Sequence, residues 1–101
     1  MIKEFSVSAS SANDFVKKVT DSLSTRELGK IASISLSGEN VIICFSKLGK
    51  SEVIFTLKST ENGFQCIHKS EKISFTHKAF RSDIENKLSK VLESNGAIVN
   101  S

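Results

Sequence analysis

The stretch "VIICFSKLGKSEVIFTLK", residues 41–58, decides the fold: two runs rich in β-branched and aromatic residues alternate with polar ones on either side of Lys47-Leu48-Gly49. A period of two predicts strands, because successive side chains on a strand point to opposite faces. If Lys47, Leu48 and Gly49 form a three-residue hairpin loop with Gly49 in the left-handed position, Val41, Ile43 and Phe45 share a face with Val53, Phe55 and Leu57.

The same alternation extends in both directions. Turn signals at Ser37-Gly38-Glu39-Asn40, Glu61-Asn62-Gly63-Phe64 and Ser70-Glu71 divide residues 30–77 into a five-stranded antiparallel meander. A two-residue turn at Asn62-Gly63 brings Phe64, Cys66 and His68 onto the apolar face, and a tight turn at Ser70-Glu71 adds Ile73, Phe75 and His77. All seven phenylalanines, at 5, 15, 45, 55, 64, 75 and 80, then fall on inward positions. The opposite face carries Ser33, Ser35 and Ser37 with Thr56, Lys58, Gln65 and Lys69, interrupted by a streak of Ile42, Ile54 and Ile67.

Before the meander, "IKEFSVS" (2–8) reads as a strand with Phe5 and Val7 on one side. Ser11-Ala12-Asn13-Asp14 has the form of a capping box, and Ala12, Phe15, Val16, Val19 and Leu23 recur at helical spacing, with Gly29 available to end the segment or the turn after it. After the meander, residues 78–96 place Phe80, Ile84, Leu88, Val91 and Leu92 on one helical stripe, with Gly96 as C-cap. The prediction is α+β: an antiparallel sheet of about six strands with two helices packed on one face, in the order β-α-β-β-β-β-β-α. The domain spans 1–96, and 97–101 is a C-terminal tail.

This order resembles the helix-grip and TATA-binding-protein-like folds over nearly the whole chain. It is also similar to that of small bacterial proteins associated with polyhydroxyalkanoate granules, in which an N-terminal helix and a meander precede a C-terminal helix. The resemblance is one of architecture, without a diagnostic motif, and no functional residue is carried over from it.

Composition sets further bounds. The 101 residues, 39% of them hydrophobic, suffice for one domain with a core of its own. No apolar run approaches the ~20 residues of a membrane span, and the N-terminus lacks the apolar core of a signal peptide. The expectation is a cytoplasmic protein with no membrane partner. The net charge of +3 is concentrated in residues 64–81, which carry +3 against +1 for 1–63 and −1 for 82–101.

That basic segment includes "CIHKSEKISFTHK" (66–78), with both histidines and one of the two cysteines. In the predicted hairpin His68 and His77 stand about four residue steps apart, roughly 13 Å, whereas two ligands of one zinc ion each lie ~2 Å from it. No metal site and no cofactor are expected. Cys44 and Cys66 point to opposite faces of strands that are not neighbours, which excludes a disulfide. No Gly-x-Ser-x-Gly elbow or glycine-rich phosphate loop is present, so the chain is expected not to be an enzyme.

Three functional readings remain. The leading one is a non-enzymatic protein-protein interaction module, a small adaptor, inhibitor or subunit. It docks on a protein partner or on itself through the outer sheet face (Ile42, Ile54, Ile67) or the basic region (Lys69, Lys72, Lys78, Arg81). The second is a weak, sequence-nonspecific nucleic-acid binder using those basic residues, against which stands the lack of exposed aromatics for base stacking. The third is a domain binding a small apolar ligand in a pocket between helices and sheet.

Overall fold

The computed structural model describes residues 2–8, 11–47 and 49–100. It is an α+β domain with a six-stranded, wholly antiparallel sheet. The strands are β1 (Glu4–Val7), β2 (Ala32–Ser37), β3 (Asn40–Ser46), β4 (Lys50–Thr60), β5 (Gly63–Lys72) and β6 (Ala97–Asn100). The helices are α1 (Ala12–Ser24), a single turn α2 (Phe75–Lys78) and α3 (Arg81–Ser94), and a 3-10 turn spans Glu27–Lys30. Spatial order is β2-β3-β4-β5-β1-β6: the meander runs through four strands, and β1 is inserted between its last strand and β6.

The hairpin at 41–58 forms in the predicted register, with Val41 opposite Phe55, Ile43 opposite Val53 and Ser46 opposite Lys50. Gly49 has φ +146, outside the range open to side-chain-bearing residues, and Leu48 lies outside the described residues. The next turn is Glu61-Asn62, with Gly63 paired to Thr60, so that Cys66 sits opposite Leu57 on the inner face as expected.

The fifth meander strand does not form. Instead of turning at Ser70-Glu71, β5 runs on to Lys72 and pairs Ser70, Glu71 and Lys72 with Ile54, Val53 and Glu52. Two causes act together: β4 is eleven residues long and offers these backbone partners, and Ser-Glu lacks the glycine or asparagine that a tight hairpin turn needs. A bulge accompanies the extension, since Phe55 faces His68 while Ile54 faces Ser70, leaving Lys69 as the extra residue. Beyond it the side-chain sense reverses, and Glu71 joins Val53 on the inner face.

The sixth strand comes from the segment read as a tail. Residues 97–100 pair with β1, Ala97 opposite Val7 and Val99 opposite Phe5, so the domain includes them and the element order ends on a strand. Gly96, with φ +97, follows the C-cap Asn95 and reverses the chain into β6.

α1 begins as its capping residues predict, with the Asp14 amide donating to Ser11 Oγ at 3.1 Å. Phe15, Val19 and Leu23 form its buried stripe, and Leu88, Val91 and Leu92 that of α3. Gly29 stands against the end of α1, where a Cβ would collide with the Leu23 carbonyl. At the centre Phe5 is 0% exposed, its ring 6.0 Å from that of Phe15 and 5.2 Å from that of Phe55. Among the described residues no helix is long and apolar enough to cross a membrane.

Two stability measurements follow. Phe5→Ala is expected to cost about 3–5 kcal/mol in urea unfolding, the range for deleting a fully buried phenylalanine. Val99→Asp is expected to cost about 1–3 kcal/mol, because Val99 is half-buried and points inward; a substitution in a frayed tail would stay within about 0.5 kcal/mol.

Candidate functional site

The extension of β5 rearranges the region where sequence reasoning placed its basic contact surface. His68 Nε2 lies 2.8 Å from Glu71 Oε1, and Arg81, the first residue of α3, donates from Nη2 to the other Glu71 oxygen at 2.6 Å. Arg81 also donates from Nε to Glu85 Oε1 at 3.1 Å. Desolvation pulls the Arg81 pKa down, but hydrogen bonds and attraction from Glu85 and Glu71 outweigh it and leave it above its ordinary value. Arg81 is thereby committed to holding α3 against β5. Lys69, Lys72 and Lys78 remain exposed.

His77 is buried rather than paired across a hairpin. Its Nε2 lies 2.6 Å from the Lys47 carbonyl, which can only accept, so Nε2 donates there, and Nδ1 lies 2.5 Å from the Ser51 hydroxyl. Ser51 Oγ in turn accepts from the Ser74 amide at 2.8 Å. A serine beside a histidine is the raw material of nucleophilic catalysis, but Ser51 is 1% exposed and a substrate cannot reach its oxygen. The chain of bonds ties α2 to the start of β4 and to the β3–β4 loop. Gly49 completes the junction, since a Cβ there would press on the Ser74 and Thr76 hydroxyls.

This junction leaves two phenylalanines outside. Phe75 is 86% exposed and Phe80 62%, which corrects the expectation that every phenylalanine faces inward. The remaining five are buried. Period two carried Phe75 inward on paper; the helical turn that replaces the strand rotates it out. The signal for this was Ser74, a residue type favoured before a helix start, followed by "FTHKAF" without a turn residue.

Phe80 borders a groove of about 490 Å³ between the β3–β4 loop, α2 and α3. Ile31, Phe45 and Ile84 supply its apolar wall, and Lys47, Asp83 and Lys87 its charged rim. A second space, of about 30 Å³, lies between α3 and the inner sheet face, lined by residues including Val53, Phe55, Ile73 and Leu88. It has the size of a water site.

The outer sheet face is placed as predicted. Ile42 and Ile54 are directly opposite each other, while Ile67 is opposite Thr56 on the next strand. All three are half-buried and stand outside the core cluster. They are joined by Ile98 of β6, 68% exposed and opposite Ser6.

Neither thiol is poised to react. Cys66 is buried, and burial pushes its pKa up to about 12; Cys44 is raised by desolvation and by Glu52, against a smaller opposite effect of Lys50. Among the described residues no three His, Cys, Asp or Glu side chains converge as a metal site would require. Searches against protein-family models, curated proteins and solved structures give no match.

Ser51→Ala is expected to cost about 1–3 kcal/mol in urea unfolding, because His77 Nδ1 and the Ser74 amide both lose their partner. Cys66 gives a pH test. Its thiol ionises near its ordinary value of 9.0 in the unfolded chain and at about 12 in the folded one. Its stabilising contribution is therefore intact below pH 9 and declines from there to pH 12, at about 1.4 kcal/mol per pH unit. Wild type is expected to lose stability more steeply than Cys66→Ala over that window; parallel curves would remove the effect.

Proposed function

We propose that the chain is a non-enzymatic protein-interaction module that docks through residues 69–81 and the groove beside them. The observation that carries this reading is the exposure of Phe75 and Phe80 in a domain that buries its other five phenylalanines. Leaving a large apolar side chain in water forgoes about 1.5–3 kcal/mol of burial, and folding alone does not account for two such residues within one six-residue segment. Aromatic residues are the usual anchors of protein interfaces, with charged residues around them to steer encounter. Lys69, Lys72 and Lys78 provide that charge, whereas Arg81 acts in positioning α3.

The outer face, with Ile42, Ile54 and Ile67, is the candidate surface for self-association. A nucleic-acid reading gains one point of support, because exposed rings next to lysines offer the stacking partner that the sequence reading lacked. Support for a non-enzymatic role comes from the occlusion of Ser51 and the raised pKa values of both thiols. Two unpaired cysteines fit a cytoplasmic setting, where thiols stay reduced.

The test uses three immobilised forms in a cell extract: wild type, Phe75→Ser/Phe80→Ser and Ile54→Lys. Both variants alter partly or fully solvated positions and are expected to stay within about 0.5 kcal/mol of wild-type stability. The expected result is a set of proteins retained by wild type and Ile54→Lys, lost on the double phenylalanine variant, and persisting at physiological salt. Loss on Ile54→Lys alone transfers the contact to the outer face. Retained RNA that elutes steeply between low and physiological salt supports the nucleic-acid reading.

A further inference from the structure

We propose that the groove beside Phe80 receives a single large apolar side chain, flanked by carboxylates, from an acidic peptide segment of the partner. The inference rests on the docking reading and names the chemistry of what docks. Concavity is the first argument. Ile31, Phe45 and Ile84 line the groove and the Phe80 ring borders it, so an inserted side chain meets apolar surface on several sides. Its volume of about 490 Å³ accommodates a side chain together with adjoining backbone. A flat base stack or a membrane surface would use the protruding Phe75 but would leave this hollow unfilled.

Charge is the second argument. The rim carries two lysines against one aspartate, and Lys78 follows on α2 between the two exposed phenylalanines. Lys47 makes no ion pair among the described residues. Lys87 pairs with Asp83 at 3.1 Å, but both side chains are more than half exposed, and such a pair is weak enough to exchange partners. His77, which also lines the groove, has both ring nitrogens engaged by Ser51 and Lys47. Lysine ammonium groups are therefore the cationic donors that the groove offers a ligand, and carboxylates on either side of an apolar residue are what they select.

The experiment is a titration of the ¹⁵N-labelled full chain, followed by amide chemical shifts, with the end-blocked peptide Asp-Glu-Leu-Glu-Asp. Two controls are the peptide with Ala for Leu and Lys-Lys-Leu-Lys-Lys. The expected result is saturable shifts centred on Ile31, Lys47, Phe80 and Lys87, at least tenfold weaker with either control. Lys47→Glu is expected to weaken the acidic peptide several-fold and Phe80→Ser to abolish its binding, both with otherwise native spectra. Equal binding of the basic peptide, shifts centred outside the groove, or no binding overturns the proposal. Shifts at the groove produced by oligouridine or phosphatidylserine vesicles, but not by the peptide, overturn it as well. If the acidic peptide fails while Phe75→Ser/Phe80→Ser still removes the retained proteins, the groove chemistry is wrong and the docking reading stands.

Discussion

The structure depends on burial of one face of a single sheet, and on β1 holding that face together. Four strands of the meander can be paired by local turns, but β6 reaches the sheet only by pairing with β1, which lies between it and β5. Phe5 on β1 contacts Phe15 from α1 and Phe55 from β4, so one side chain joins the N-terminal strand, the first helix and the centre of the meander. α1 and α3 pack on this side and are linked to each other where Asn95 Nδ2 donates to Ser22 Oγ. The other face keeps its alternation of serine, threonine and lysine around the isoleucines, as expected of an antiparallel sheet with one solvated side.

Much of the candidate site follows from one extra residue. The bulge at Lys69 turns Glu71 inward, and Glu71 then holds His68 on its own strand and Arg81 on α3. Beyond Lys72, opposite Glu52, the chain between these anchors leaves the edge of β4. It closes instead into the turn α2, fixed from below by His77 on Ser51 and the Lys47 carbonyl. His77 and Ser51 are polar and buried, and the phenylalanines on either side of His77 are left to solvent. This inversion of the usual arrangement is what the docking proposal rests on.

The same geometry separates positioning from contact among the basic residues. Arg81 has its guanidinium divided between two carboxylates, a bridging role for which its fork of several N–H donors is suited. The exposed lysines are strongly hydrated point charges on flexible stems, fit for steering rather than for rigid anchoring. In the proposed docking, specific contact falls to the aromatic rings and the groove.

The sequence by itself determined the features that depend on near neighbours in the chain. These are the register of the 41–58 hairpin, set by a short loop ending in Gly49, the Ser11 cap of α1, the buried stripes of both long helices and the division of the sheet into two faces. Each is specified by periodicity or turn chemistry within about a dozen residues. What only the tertiary structure decided is where a competition between distant partners had two locally acceptable answers. Residues 70–77 alternate well enough to be a strand, but the length of β4 made extension of β5 the better use of backbone hydrogen bonds. Residues 97–100 are too short to declare themselves, and they became a strand because β1, more than ninety residues earlier, presented an open edge. Exposure of Phe75 and Phe80 belongs to the same class: local pattern assigned them to the core, and the burial of His77 by Ser51 and Lys47 turned them outward.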